Sequence, residues 1–335
     1  MLRGSAQMSR GSVQVSRGSV QVTKTMADEA LKRTIAIIGA GRVACGLGAR
    51  LREAGWKIGA VAARQLPAAR AAVRAIRGGT PCAVLTRRVL DAAVILLAVP
   101  DDALAAVATQ LERTGGDDLR RKIVVHTSGA LSSVVLEPLA LRGAWTGVMH
   151  PMQSFGTRTR PRLDGVLFGI EGHTEALRVI RKMVRSIGGD AARIEAARKA
   201  EYHCAGTFAA AHVLASVEAG VQLLIAGGMK RREATRALLR LARQVLDNQE
   251  LLGPRAAWTG PLSRGDMATI GLHWEALGRY PAEFRAAYAA MTRLTARLLA
   301  AAPQEVLDRL DAAMPAGAAT AERTEARSAA ARSAL

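Results

Sequence analysis

A glycine-rich turn between an apolar run and an amphipathic stretch limits the fold of this chain more than any other feature. The run TIAIIG is followed by AGRVACGLGARL, which places Gly39, Gly41 and Ala44 in the spacing G-x-G-x-x-A. In a strand–turn–helix unit the glycines permit a tight turn and a close approach of backbone amides to a diphosphate, and the alanine keeps the helix near the strand. The turn predicts a dinucleotide site that includes Arg42 and Val43.

The same alternation continues along the first half of the chain. Short apolar runs are separated by amphipathic stretches, as expected for parallel strands joined by crossover helices. The predicted strands are TIAIIG, IGAVAA, AVILLAV, KIVVHT, GVLFGIE and, more weakly, AARI. The predicted helices are residues 43–54, 68–76, 102–112 and 174–187. The pattern is that of a doubly wound α/β Rossmann domain, which we assign to residues 29–195.

The rest of the chain has a different character. After about residue 196 the strand pattern disappears, and Ala-, Leu- and Arg-rich stretches predict an all-helical domain over residues 196–314. Residues 1–28 contain three heptapeptide repeats with glycine in each, which predicts disorder rather than a coiled coil, with Met26 as an alternative start. The tail, 315–335, has few large apolar residues and is predicted to fray.

Charge and composition narrow the class of protein. The chain has 335 residues, of which 50% are hydrophobic, enough for two domains with cores. A formal charge of +19 is compatible with nucleic-acid binding, but the arginines are spread over the helical segments and only 3% of residues are aromatic. A basic, solvated surface that attracts anionic substrates and cofactors is therefore favoured.

Cysteine usage and the longest apolar stretch bear on compartment. The three cysteines lie far apart in the sequence without histidine-rich ligand spacing, which predicts a reducing cytoplasm and no metal site. Residues 204–229 are long enough to span a bilayer, but they include a histidine and a glutamate and lack flanking anchors. We predict that this stretch forms a buried core helix without membrane contact. The N-terminal sequence lacks an apolar core segment, so no signal peptide is expected.

The second strand indicates the cofactor. NAD-specific sites end this strand with a carboxylate, whereas here Arg64 follows the run at the distance from Gly39 expected for the ribose. Arginine pairs with a 2′-phosphate, so NADP(H) is the predicted cofactor. The alternative is that Arg64 is one of many surface arginines. The third run ends at Val99 and Pro100, where open sheets bind ligands, and Asp101 is predicted to cap the next helix.

Four further motifs occur in order: HTSGAL, GVMHPMQSF, KAEYHCAG and TGPLSRGD. With them, residues 33–303 resemble a family of Rossmann-like proteins whose C-terminal helical domain has no established function, related to the 6-phosphogluconate dehydrogenase-like superfamily. The resemblance implies a Rossmann domain followed by an all-helical domain of the 6-phosphogluconate dehydrogenase type. It supplies no reaction, so more distant relatives provide analogies.

The first analogy concerns His150. Prephenate dehydrogenases are similar where a strand-end serine motif is followed by Gly-x-His-Pro, and by that resemblance Ser128 contacts substrate and His150 is the catalytic histidine. His150 would accept or donate a hydroxyl proton. Met149 and Gln153 depart from that family, so prephenate is not the predicted substrate. A histidine hydrogen-bonded in a turn before Pro151 is the alternative.

Two other analogies concern the second half of the chain. Lys199 and His203 are spaced to share a helix face, and hydroxyacid dehydrogenases and ketopantoate reductase carry Lys with Asn at this spacing. The resemblance implies that Lys199 polarises a carbonyl, with His203 in place of the Asn. The alternative is a lysine on a solvated helix face with a histidine in the core. The loop TGPLSRGD is similar to the substrate loop of pyrroline-5-carboxylate reductase, which implies that Arg264 holds a substrate carboxylate and Asp266 orients it. Helix capping is the alternative for Asp266.

These observations predict an NADP-dependent oxidoreductase. The substrate is expected to be a small carboxylate-bearing molecule, either a hydroxy or keto acid or an imine, bound between the domains of a cytoplasmic homodimer. An NADP(H)-binding sensor or scaffold without turnover is the first alternative. A basic nucleic-acid-binding protein is the second.

Overall fold

The computed structural model describes residues 33–83, 86–156 and 161–315. The predictions about the N-terminal repeats and the C-terminal tail therefore lie outside the described residues. The chain divides into two compact units between Ala210 and Ala211. This division lies later in the sequence than the predicted domain boundary at residue 196. The helix Lys199–Thr207 therefore belongs to the first unit.

The described part of the first unit is built on an eight-stranded sheet in the order β3-β2-β1-β4-β5-β6-β7-β8. The strands are β1 Thr34–Ile38, β2 Lys57–Ala62, β3 Thr80–Cys82, β4 Val94–Leu97, β5 Ile123–His126, β6 Trp145–Pro151, β7 Leu167–Gly172 and β8 Asp190–Arg193. Neighbouring strands are parallel except β6 and β7, which are antiparallel. The order reverses at β1, between β2 and β4. The doubly wound Rossmann prediction is confirmed.

Two strands were not predicted. β3 has only three residues, one of them proline, and gives no apolar run. β6 is WTGVMHP, in which threonine, glycine and histidine interrupt the apolar sequence. It is nevertheless a central strand that pairs with β5 and β7. His150 therefore lies on a strand rather than in the turn of the alternative interpretation.

Helices cover both faces of the sheet. They are α1 Arg42–Glu53, α2 Leu66–Ile76, α3 Asp101–Gly115, α4 Glu137–Leu141, α5 Thr174–Ser186 and α6 Lys199–Thr207. Alternate residues of β1 pack into two separate cores: Ile35 and Ile37 join one, and Ala36 and Ile38 join the other. A parallel strand buried on both faces has this continuous apolar sequence, which is why TIAII is recognisable.

The second unit is helical, as predicted. A π-helical turn, Phe208–His212, leads from α6 into it. Its helices are α7 Val213–Ala226, α8 Arg231–Leu252, α9 Pro254–Ala257, α10 Met267–Ala276, α11 Ala282–Leu299 and α12 Pro303–Ala313. A small core is formed by residues of α10, α11 and α12 together with Leu262. By contrast, α7 buries only Val221 and α8 only Ala234.

The prediction of a buried core helix for residues 204–229 is wrong for the single chain. In the described residues one continuous helix, Ala196–Ala226, is long and apolar enough to cross a membrane, with a mean hydropathy of 1.6, and only 6% of its most apolar window is buried. The composition favours burial, but the described residues do not supply the covering surface.

Candidate active site

A cavity of about 750 Å³ lies at the carboxyl ends of β1, β2 and β4, where the strand order reverses. Open α/β sheets bind ligands at this position. Its lining includes five of the residues predicted to contact cofactor: Gly39, Gly41, Arg64, Val99 and Pro100.

Gly39 and Gly41 are required for different structural reasons. Gly39 has a φ of 126°, and a β-carbon there would lie 2.1 Å from the carbonyl oxygen of Ala98, so the turn accepts only glycine. A β-carbon on Gly41 would meet no atom within 4 Å, because this position faces the cavity. Since α1 begins at Arg42, unpaired amides of its first turn are available to an anion beside Gly41. These features fit the diphosphate of a dinucleotide.

The remaining predicted cofactor residues flank the cavity without lining it. Ala44 is fully buried within the core against the sheet, Val43 is half-buried, and Arg42 is exposed. Ala44 therefore occupies the position that the close helix–strand contact requires. Arg64 is exposed at the cavity beyond the end of β2, where its guanidinium is accessible to a ligand phosphate.

Ser128 fixes the loop that follows β5. Its hydroxyl donates to the Asp101 carboxylate at 2.8 Å and accepts hydrogen bonds from the amides of Ala130 and Leu131, at 3.2 and 3.0 Å. The helix-capping prediction for Asp101 is wrong: the residue is the first of α3, makes no side-chain cap, and binds Ser128 instead. Because Pro100 lines the cavity, this loop is tied to the edge of the predicted cofactor site.

Lys199 is buried in the same region. Its side chain is 2% exposed, and the ammonium donates to the carbonyl oxygen of Ser128 at 3.2 Å. Burial lowers the pKa of Lys199, while the negative charges of Glu171 and Asp101 act in the opposite direction. A buried ammonium held by a backbone carbonyl is a strong donor with a proton easier to release than that of an exposed lysine.

His150 and His203 meet over Gly129. Their rings are perpendicular, with centroids 5.8 Å apart. A β-carbon at position 129 would lie 2.5 Å from Cδ2 of His203 and 2.7 Å from Nε2 of His150, so glycine is needed for both rings to approach the loop. The structure therefore brings together all four residues predicted to be catalytic: Ser128, His150, Lys199 and His203.

Sequence reasoning missed two polar side chains of this cluster. The hydroxyl of Tyr202 lies 3.0 Å from Nδ1 of His150. Tyr202 stands in the motif KAEYHCAG, three residues after Lys199, so helical spacing was a usable signal. The carboxylate of Glu171, on β7, accepts hydrogen bonds from the amide and hydroxyl of Ser133 at 2.8 and 2.6 Å. No local pattern marks Glu171, which is brought in by the antiparallel pairing of β7.

The predicted substrate-binding residues belong to the second unit. Asp266 caps α10: its carboxylate accepts from the amide and hydroxyl of Thr269 at 3.1 and 2.7 Å, and these bonds lower the pKa of Asp266. The capping alternative for Asp266 is thus what the structure shows. Arg264 is exposed at the end of a short 3₁₀ turn, Leu262–Arg264. Across the described ranges no cluster of three potential metal ligands occurs.

Two family models match the sequence. Residues 21–151 match a Rossmann-like domain, and residues 166–295 match a domain of unknown function, DUF2520. No curated protein sequence matches the chain.

Solved structures share the fold. BF3122 of Bacteroides fragilis, described as a candidate NADP oxidoreductase, has a TM-score of 0.64 at 23% identity, over 78% of this chain and 97% of its own. A reductive aminase of Aspergillus terreus, in complex with NADPH and ethyl-5-oxohexanoate, has 0.61 at 15%, over 79% and 92%. A pyrroline-5-carboxylate reductase of Coxiella burnetii has 0.52 at 16%, over 79% and 98%. The predicted order of a Rossmann and a helical domain is confirmed.

Proposed function

We propose that this chain, a Rossmann-like protein with a DUF2520 domain, is an NADP(H)-dependent oxidoreductase acting on a small carbonyl or imine compound that carries a carboxylate. The observation that carries the proposal is the attachment of a buried donor cluster to the cofactor cavity. Pro100 lines the cavity, and the next residue, Asp101, binds the Ser128 loop on which Lys199 and His150 converge.

The cavity is suited to a phosphorylated dinucleotide. The amides at the start of α1 face a diphosphate, and Arg64 supplies a guanidinium for a further phosphate on the ribose. Among the similar structures, the Aspergillus terreus reductive aminase holds NADPH. When bound, the nicotinamide supplies or removes a hydride.

The donor cluster would act on the other partner of that reaction. A carbonyl oxygen or imine nitrogen gains electron density as it is reduced, and positioned N–H donors stabilise that charge most effectively where water is excluded. Lys199 and His150 provide two such groups, of which Lys199 is buried and His150 half-buried. By its resemblance to the substrate loop of pyrroline-5-carboxylate reductase, the loop that carries Arg264 is proposed to contact the substrate carboxylate.

The direct test is turnover. Purified protein is mixed with NADPH and a panel of keto acids, cyclic and acyclic imines, and, with NADP⁺, hydroxy acids, while the absorbance of the reduced nicotinamide is followed. Activity confined to carboxylate-bearing members supports the proposal. NADPH binding without consumption across the panel would instead favour the sensor or scaffold function.

Cofactor selectivity provides the first prediction. Replacing Arg64 by Asp removes the guanidinium and adds a repelling carboxylate, so the dissociation constant of NADPH is expected to rise about 10- to 100-fold. That of NADH should stay the same or fall. Calorimetric titration of both reduced dinucleotides measures the two constants.

Arg70→Asp is the matched control for this titration. Arg70 is exposed on α2 and does not line the cavity, so its substitution makes the same charge change nearby without touching the site. If both variants weaken NADPH binding equally, Arg64 contributes only to the general positive charge of the surface and does not contact the ligand. If the preference for NADPH over NADH is unchanged in Arg64→Asp, Arg64 does not contact the 2′-phosphate.

We also propose that a second copy of the chain covers the exposed apolar helices of the second unit. Leu214 on α7 is 70% exposed and Leu241 on α8 is 60% exposed, and neither helix buries more than one of its residues. α8 also carries Arg231, paired with Glu218 of α7 at 2.9 Å, and charges of both signs suit a protein partner better than lipid.

Leu214→Arg is expected to weaken this self-association by about 10-fold or more, because a charge would be buried in the proposed contact. Molar mass by light scattering over a dilution series gives the constant. Leu141→Arg, at a leucine 81% exposed on α4 of the first unit, should leave the dimer unchanged. A wild-type monomer in detergent-free buffer, or a requirement for detergent, contradicts the proposal.

A further inference from the structure

We propose that Tyr202 holds His150 as the tautomer with hydrogen on Nε2, so that a neutral imidazole presents an N–H donor, not a base, at the Gly129 loop. Tyr202 is thereby a positioning residue. The assignment of a substrate to this donor rests on the proposed function, whereas the tautomer itself does not.

The neighbours of the tyrosine hydroxyl determine where its hydrogen lies. The amide of Gly169 donates to the Tyr202 oxygen at 3.2 Å, so the oxygen already serves as an acceptor. Its own hydrogen has two acceptors within reach: Nδ1 of His150 at 3.0 Å and the carbonyl oxygen of His150 at 3.3 Å. The second distance is beyond the usual range for an O–H donor. Donation to Nδ1 is favoured, and it requires Nδ1 to be unprotonated.

The strand register supports the same choice. His150 on β6 is paired with Gly169 on β7, and pairs an even number of residues away are joined by bonds from the Met152 amide to Leu167 and from the His173 amide to Thr146. In an antiparallel ladder, bonded pairs alternate with unbonded ones, so the carbonyl of His150 faces the amide of Gly169, the same N–H that donates to the Tyr202 oxygen. With this shared N–H the carbonyl has a partner when the tyrosine hydrogen is donated to Nδ1.

The tyrosine ring reaches this position because residue 169 is glycine. A β-carbon there would lie 2.6 Å from Cζ of Tyr202 and 2.7 Å from its hydroxyl oxygen. Gly169 admits the tyrosine on one side of His150, and Gly129 admits Nε2 on the other. The two glycines thus leave room for the groups on opposite sides of the His150 imidazole. Within the described part of the chain, Nε2 of His150 has no hydrogen-bond partner.

The surroundings keep the ring neutral. Burial is the main cause that lowers the pKa of His150 to about 4, and Lys199 and His203 act in the same direction while Asp101 opposes them. His126, on β5, also acts to lower it. With a folded pKa below the usual value, the neutral form is the populated one at pH 7, and protonation occurs only as the pH approaches 4.

A neutral His150 ring with its hydrogen on Nε2 can interact with only one kind of substrate atom, a hydrogen-bond acceptor. It can donate to a lone pair, such as that of a carbonyl oxygen or a neutral imine nitrogen, but it cannot remove a proton from a hydroxyl through that nitrogen. The inference therefore favours the reductive direction, with His150 polarising the acceptor. The ammonium of Lys199 is then the group with a proton to give.

The tautomer is measurable by NMR on ¹⁵N-histidine-labelled full-length protein without cofactor or substrate, with His150 assigned through His150→Gln. At pH 7 we expect a pyridine-type Nδ1 signal and a pyrrole-type Nε2 signal. Tyr202→Phe removes the hydrogen bond to the unprotonated Nδ1. The signals should then move toward a mixture of tautomers, and the titration midpoint should rise by about one unit.

A second tyrosine–histidine pair provides the control. The hydroxyl of Tyr288 lies 2.9 Å from Nδ1 of His273 in the second unit, with perpendicular rings. Tyr288→Phe should change the signals of His273 and leave those of His150 in place. A pyrrole-type Nδ1 in the wild-type protein overturns the inference even if Tyr202→Phe does not fold. So does an unchanged tautomer in a folded Tyr202→Phe variant.

Discussion

Replacing Lys199 by methionine is expected to lower turnover by about 10²- to 10⁴-fold while NADPH still binds, the range found when a positioned acid is lost. Methionine keeps an apolar stem of similar length and removes only the ammonium that donates to the Ser128 carbonyl. Turnover is followed through NADPH absorbance with a substrate from the panel, and binding is measured by calorimetry.

The stability of the same variant separates a functional lysine from a structural one. Burial lowers the pKa of Lys199, so the charged form is less favourable in the folded chain than in the unfolded one. The variant loses one hydrogen bond but is relieved of a buried charge, so its free energy of unfolding should change by only about 1 kcal/mol either way. Urea denaturation measures this change.

Lys122→Met is the matched control. Lys122 is half-buried, its pKa is also lowered by burial, and its ammonium likewise donates to backbone carbonyls, those of Leu90 and Ala92. It precedes β5, at the opposite end of the strand from Ser128. We expect a comparable effect on stability and full turnover. A Lys199→Met enzyme with wild-type turnover, or one that no longer binds NADPH, contradicts the catalytic role.

The parts of the fold that could be predicted are those whose signals are local. β1 and β4 are buried on both faces and consist of uninterrupted apolar residues, and the turn at Gly39 has no other solution for its backbone. β6 escaped prediction because its pairing with β5 and β7 compensates for residues with weak strand preference. Tertiary contacts, not local sequence, make it a strand.

In the candidate site too, some residues have a local sequence signal and others are brought in only by tertiary contacts. Lys199 and His203 share a helix face by spacing, and the structure places both at the Ser128–Gly129 loop. Glu171 and Asp101 enter through long-range pairing, which no single motif encodes. Residues 204–229 were expected to form a buried helix because their composition favours burial, but a single sequence does not reveal whether the covering atoms come from the same chain.

Gly39→Ala is expected to destabilise the folded protein by about 3 kcal/mol or more. The new β-carbon would lie 2.1 Å from the backbone oxygen of Ala98, the residue after β4, which cannot move without disturbing the bond from the Ala98 amide to Ile38. The φ of 126° adds backbone strain for any residue with a side chain. Chemical denaturation followed by circular dichroism measures the loss.

Gly41→Ala, two residues further along, should leave the free energy of unfolding nearly unchanged and weaken NADPH binding by about 10-fold. Apart from its chain neighbours, no described residue has an atom within 4 Å of the added methyl group, so the space it takes is that of the ligand. The pair therefore separates the two uses of glycine within one turn, since one variant fails in folding and the other in binding. A Gly41→Ala protein that binds NADPH as tightly as the wild type would place the diphosphate elsewhere, and the assignment of this cavity to the cofactor would fall.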